Sequence, residues 1–244
     1  MAHTDRHTSD PILETDGLTK RFGGLVAVDD VDFRLAPGEL RCLIGPNGAG
    51  KSTFFKMLAG RHTPTEGTIT FKGEDITDTL PHERIRRGMS IKFQDVSVYP
   101  ELTVMENLQI PLQRDRDRAP DQRVDELLER ISLREKRTVI ADELSHGEQQ
   151  WLEIAMTISL DPDLLLLDEP TAGMTIEETD ETVDLIQSLT AEGMAVIVVE
   201  HDINFVRQIA EWITVLHNGA VFTEGTVEEI ETDEDVQRIY LGEE

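Results

Sequence analysis

The run Gly45-Pro46-Asn47-Gly48-Ala49-Gly50-Lys51-Ser52-Thr53 is glycine-rich and then abruptly cationic and hydroxylated. It satisfies the spacing of a glycine, four residues, then Gly-Lys-Ser, and it stands between an apolar strand-like segment, "LRCLI", and a helical one. Without side chains, the glycine backbone can wrap around phosphate oxygens. Successive N–H groups and the positive end of the following helix then converge on the anion. Lys51 is placed to reach the β- and γ-phosphates, and the Ser52 hydroxyl to ligate magnesium. A second reactive pair, Asp168-Glu169, follows the run "LLLL" at Leu164 to Leu167. Such a run reads as a strand buried on both faces, and its carboxyl end is where open α/β sheets place their ligands. Asp168 is expected to hold magnesium, leaving Glu169 to orient or deprotonate an attacking water.

These residues need a frame, and the chain alternates strand-like and helical segments. Residues 12–43 are β-rich, with turn signals at Phe22-Gly23-Gly24 and Pro37-Gly38-Glu39. Residues 51–58 read as a helix ending at Gly60, 66–76 as a hairpin, and 90–94 as a buried strand. From 103 to 160 the pattern is mainly helical, with an exposed turn over 114–122. Strands return at 164–167, 195–200 and 212–217, separated by helices over 176–189 and 203–209. A helical block inside an α/β frame points to two lobes around one catalytic core. Ser145 suits a helix N-cap, with Glu148 three residues on completing a capping box.

The segment "LSHGEQQWLEIAMTISL", ahead of Asp168, resembles the signature of the ATP-binding cassette (ABC) ATPases. Leu144, Ser145 and Gly147 match the family's Leu-Ser-Gly-Gly-Gln; His146 and Glu148 stand where glycine and glutamine are usual. The resemblance covers about residues 12–242. It implies a P-loop ATPase with a RecA-like core, an antiparallel β subdomain (with the core, about 11–93 and 161–244) and an inserted helical subdomain (about 94–160). It also implies ATP and Mg2+ as ligands and a head-to-tail pair of chains, in which Ser145 and Gly147 bind the γ-phosphate of ATP held by the other. Further roles follow the motif positions. Gln94 resembles the glutamine that senses magnesium and the attacking water, His201 the switch histidine on the γ-phosphate, and Phe22 the aromatic that stacks on adenine. "TAGMT" after Pro170 departs from the usual pattern, with Thr175 where an acid is common.

"PGELRCLIGPNGAGKST", "LSHGEQQWLEIAM", "DEPTAGMTIEET", "VVEHDINFVRQIAEWITVLHNGAVFTEGT" and "VQRIYLG" are most similar to ATP-binding subunits of importers for urea or short-chain amides and for branched-chain amino acids. That likeness implies two transmembrane permease subunits, a second ATPase that is a paralogue or another copy, and an extracytoplasmic solute-binding protein. It also implies a place on the cytoplasmic face of the membrane, with Tyr99, Pro100 and Leu102 near the membrane subunits. A soluble ATPase of iron-sulfur assembly and the ATPase of an exporter share the catalytic residues and stand as alternatives.

Composition sets outer bounds. The 244 residues carry 49 acidic and 23 basic side chains, a net charge of -26, which disfavours a nucleic-acid partner. Lysine is confined to positions 20, 51, 56, 72, 92 and 136. A lysine-poor, acidic surface suits a halophilic cytosol, where screening over about 3 Å at 1 M salt removes most self-repulsion. The single cysteine, Cys42, excludes an internal disulfide and reads as a small buried side chain. No secretory signal is visible at the N-terminus, and residues 1–10 read as a disordered tail.

Overall fold

The computed structural model describes residues 10–94, 97–113 and 120–241. Nearly all of the N-terminal tail and most of the turn expected at 114–122 lie outside that range. In chain order the strands are β1 (Leu13–Phe22), β2 (Leu25–Leu35), β3 (Leu40–Ile44), β4 (Glu66–Phe71), β5 (Glu74–Asp75), β6 (Met89–Lys92), β7 (Leu164–Asp168), β8 (Ala195–Val199), β9 (Trp212–His217) and β10 (Ala220–Gly225). The α-helices are α1 (Lys51–Leu58), α2 (Pro81–Arg86), α3 (Val104–Leu112), α4 (Pro120–Arg130), α5 (His146–Ile158), α6 (Ile176–Ala191), α7 (Ile203–Ile209), α8 (Val227–Thr232) and α9 (Glu234–Leu241).

Two sheets carry the fold. The larger runs β10-β9-β3-β8-β7-β6, and the smaller, antiparallel one runs β2-β1-β4-β5. In the larger sheet β9, β3, β8, β7 and β6 are mutually parallel, and only β10 returns antiparallel along one edge. Parallel strands covered on both faces need apolar side chains on both, which is why "LLLL" and "AVIVV" show no alternation. Leu165, Leu167, Val196 and Val198 face one core, shared with α3 to α7. Leu164, Leu166, Ile197 and Val199 face the other, closed by α1 and the small sheet. Cys42 lies fully buried in the first core, and burial pushes its thiol far above the usual range.

Where the sequence expected a turn to continue to residue 122, α4 already begins at Pro120. Proline is pre-organised for a first helical turn and Asp121 complements the helix dipole there, so the residues that looked like loop start a helix. The helices α2, α8 and α9 and the edge strand β10 are six to eight residues long, too short to be read locally.

One buried side chain fixes α1 from behind. Arg84, on α2, is completely buried and donates to carbonyls at the C-terminal end of α1, Met57 at 2.8 Å and Leu58 at 2.7 Å. It also donates to those of Ile76 at 2.7 Å, Thr77 at 3.1 Å and Thr79 at 3.3 Å. Burial lowers its pKa to about 10, so it stays charged at neutral pH and sits at the negative end of the α1 dipole. Replacing it strands those carbonyls. Arg84→Met is expected to cost roughly 3 kcal/mol or more and to lower Tm by about 6 to 12 °C; a melt within 2 °C of wild type, as a rough threshold, would contradict this anchoring role.

Candidate functional site

The sheet topology decides what meets what. β3 leads into Gly45–Ser52, β7 ends at Asp168 and leads into Glu169, β8 leads to Glu200 and His201, and β6 leads to Gln94. These four strands are adjacent and parallel, and Leu43 and Asp168 both pair with Val199. The residues that follow therefore emerge together at one edge of the sheet. Segments far apart in sequence are brought to one place.

At β3 the loop bends sharply. A β-carbon added to Gly45 would fall 2.2 Å from the Leu216 carbonyl oxygen, and one on Gly50 2.5 Å from that of Ala27, so only glycine fits. Gly50 is the N-cap of α1 in a left-handed conformation, with no capping side chain and no acid in the first turn. The helix N-terminus is thus left free for an exogenous anion. Lys51 turns back on the loop, donating to the carbonyls of Gly45 at 2.6 Å and Pro46 at 3.1 Å. Half-burial lowers its pKa, against the opposing pull of Glu169 and Asp168. Beside the loop a cleft of about 960 Å³ is lined by Pro46, Asn47, Gly48, His217, Phe222 and Arg238, among others.

At β7 the carboxylates differ. Asp168 is 8% exposed, and its pKa is raised from 3.8 to about 6, first by burial and then by the negative charge of Glu169. Glu169 takes a left-handed backbone (φ 45), unusual outside glycine, and its N–H donates to Val199 at 2.9 Å. Its side chain is held by the residues the sequence singled out. Gln94 Nε2 donates to Oε2 at 2.7 Å, and His201 Nδ1 lies 3.5 Å from Oε1, with the imidazole 66% exposed. Phe22 closes β1 as an exposed ring (44%), with His62 edge-on at 5.4 Å and the Lys20 ammonium 5.2 Å from its centroid.

Ser145 is the N-cap of α5, and Gly147 lies in its first turn. The Ser145 hydroxyl accepts from the Glu148 N–H at 3.2 Å and donates to Glu178 at 3.0 Å, and Glu148 returns to the Ser145 N–H at 3.0 Å, forming the expected capping box. His146 Nε2 meets the Ala172 carbonyl at 3.1 Å, its ring against Gly173. His146 and the unusual segment after Pro170 are therefore packed on each other. Tyr99 is exposed, with its N–H on Asn107 at 2.7 Å.

Sequence reasoning missed two supports. Buried Glu200 accepts from the Thr171 hydroxyl at 2.7 Å and the His201 N–H at 3.0 Å, tying the turn after Glu169 to the one bearing His201. Lys92, fully buried, lies 3.6 Å from Glu153 of α5 and close enough to Asp168 and Glu200 to feel both charges. The signal for Glu200 was present, a carboxylate closing an apolar strand beside His201; for Lys92 the pairing is purely tertiary.

A hydroxyl, a carboxylate and an amide oxygen form a hard donor set, the kind Mg2+ prefers. Asp168, whose buried charge is under-compensated, fits a cation nearby. A cradle for phosphates beside a positioned acid defines a P-loop nucleotide hydrolase of the α/β class.

The sequence pattern of the ABC transporter family matches residues 28–172. The chain is 38% identical over 253 aligned residues to the high-affinity branched-chain amino acid transport ATP-binding protein BraF of Pseudomonas aeruginosa, covering 96% of this chain and 99% of that one. It is 34% identical to the lipopolysaccharide export system ATP-binding protein LptB of Haemophilus influenzae, covering 95% and 98%. A solved dimeric ATP-binding cassette in a post-hydrolysis state, bound to ADP and Pi, superposes with a TM-score of 0.78 at 29% identity, covering 88% and 98%. The chain belongs to the ABC transporter family and is its ATP-hydrolysing subunit. No helix among the described residues is long and apolar enough to cross a membrane.

Burial of Asp168 has a thermodynamic sign. The folded chain keeps the proton up to about pH 6 whereas the unfolded chain releases it near 3.8, so stability falls as pH rises through that window. Asp168→Asn is expected to stabilise the nucleotide-free chain at pH 7 by on the order of 1 to 3 kcal/mol, with the gain vanishing toward pH 4. Thermal melts at the two pH values check this; no gain at pH 7 contradicts it.

Proposed function

We propose that the chain powers an importer of branched-chain amino acids, urea or short-chain amides from the cytoplasmic face of the membrane, in a cytosol at high salt. The observation that carries the catalytic part is the meeting of Gly45–Thr53, Asp168, Glu169, Gln94 and His201 at one sheet edge. Gly45, Pro46, Asn47, Gly48, Ala49 and Gly50 wrap the triphosphate, Lys51 turns from its carbonyl partners to the β- and γ-phosphates, and Phe22 offers its exposed ring to the adenine. Ser52 and Asp168, with Gln94 beside them, would hold Mg2+, which supplies charge neutralisation on the phosphates. Glu169 orients or deprotonates the attacking water, a contribution of about 10² to 10⁴ in rate. Gln94 and His201 hold its carboxylate in place.

Ser145 and Gly147 complete the site from a second chain, either another copy or a paralogue. Among the described residues the Ser145 hydroxyl bonds to Glu148 and Glu178, and the similar solved cassette is a dimer. ATP then favours a closed pair because each γ-phosphate gains donors from both chains, and hydrolysis removes them. Two membrane subunits follow that opening, fed by an extracytoplasmic binding protein. Similarity to BraF over nearly the whole chain favours import. Similarity to LptB favours export as the second reading.

The test is a mild-detergent pull-down of the tagged chain from its own cells in high salt. Multi-helix membrane subunits with a solute-binding protein support import; membrane subunits with an envelope-bridging export apparatus support export, and only soluble partners contradict the proposed assembly. In the same preparation Lys51→Ala is expected to weaken ATP binding about tenfold or more by removing a charged phosphate partner. Wild-type affinity contradicts the phosphate role.

A further inference from the structure

Glu178 occupies the space that the reading above assigns to a phosphate. It lies in the first turn of α6, where Thr175 is the N-cap and the two form a capping box. One carboxylate oxygen accepts from the Thr175 N–H at 2.9 Å; the other accepts from the Ser145 hydroxyl at 3.0 Å. The carboxylate lies directly over Gly147, since a β-carbon built there would fall 2.4 Å from Glu178 Cδ and Oε1. Hydrogen bonds from Thr175 and Ser145 and the nearby His146 hold Glu178 below the usual carboxylate range. A full negative charge therefore sits at the head of α5, on the hydroxyl proposed to meet the γ-phosphate.

The rest of the α5–α6 contact ties this charge to the catalytic loop. The buried Trp151 indole of α5 donates to the Thr182 hydroxyl at 2.9 Å, which in turn donates to the Glu178 carbonyl at 2.8 Å. His146 rests on Ala172 and Gly173, in the turn that follows Glu169. From Glu169 to Glu178 the chain is a tight turn, a cap and a first helical turn, with no slack loop between.

We infer that Glu178 is a positioning residue that holds the Ser145 hydroxyl in the nucleotide-free chain and is displaced by the γ-phosphate of ATP arriving on the partner chain. Two anions cannot share one hydroxyl at hydrogen-bond distance without strong repulsion. Displacing the carboxylate moves the head of α6 relative to α5, and the short connection carries that shift to the turn bearing Glu169. The arrival of ATP in one site is thereby transmitted to the acid of the other. This inference rests on the two-chain reading.

The experiment uses the chain purified with its partner subunits and reads ATPase rate against ATP concentration. Glu178→Gln keeps the size and the capping oxygen but removes the charge that competes with phosphate. It is expected to lower the half-saturating ATP concentration about three- to tenfold, with Tm within about 2 °C of wild type and ATP affinity of the isolated chain unchanged. An unchanged or raised half-saturation overturns the competition, leaving Glu178 as a cap alone. Ser145→Ala in the same assembly separates the two ideas. Loss of turnover there supports the two-chain site independently of Glu178, whereas full turnover overturns that site and the competition with it.

Discussion

Two adjacent carboxylates at the end of a buried strand repel each other, and nearly every feature of this edge of the sheet answers that repulsion. Asp168, raised first by burial and then by the charge of Glu169, holds its proton up to about pH 6. Glu169 leaves the strand through a left-handed backbone, and its charge is met by the Gln94 amide and faced by His201. Lys92, carried on the neighbouring strand and fully buried, lies behind the pair; burial lowers its pKa, against the opposing pull of Glu153, Asp168 and Glu200. Lys51 feels Asp168 and Glu169 from the front. The site is an unbalanced charge distribution held rigid by a sheet, and a divalent cation with a triphosphate is the kind of ligand that completes it.

Rigidity comes from the parallel strands. Because β3, β8, β7 and β6 share one register and both their faces are packed, the residues just beyond their ends cannot drift independently. Arg84 extends that constraint to α1 by gripping its C-terminal carbonyls, so the uncapped N-terminus of the same helix stays aimed at the loop. The helical side shares the apolar core on one face of this sheet, and polar links add to it: Lys92 with Glu153, and His146 at the head of α5 with the turn after Glu169. At the head of α5 the contact with the turn after Glu169 is polar, whereas the body of the helix is held in the apolar core.

Much of this was legible in the sequence, for identifiable reasons. Within Gly45 to Ser52, Gly45 and Gly50 have no alternative, since a side chain at either would collide with the carbonyl of Leu216 or Ala27. The strand before Asp168 is encoded by unbroken apolarity. Gln94 and His201 were different: nothing local marks them, and only the likeness to ABC ATPases singled them out before the sheet brought them to Glu169. Thr175 read as a departure from the family pattern, yet it serves as an N-cap, and His146 fits because Gly173 leaves room for its ring. Lys92 with Glu153, and Glu178 over Gly147, join segments whose proximity only the tertiary fold creates. No period or spacing announces them.

The central claim is that Glu169, held by Gln94 and His201 at the end of the sheet, activates water for ATP cleavage. Glu169→Gln, assayed in the purified assembly for both bound nucleotide and phosphate release, tests it most directly. The variant is expected to retain ATP, uncleaved, while phosphate release drops by about 10²-fold or more. Phosphate release at the wild-type rate would contradict it.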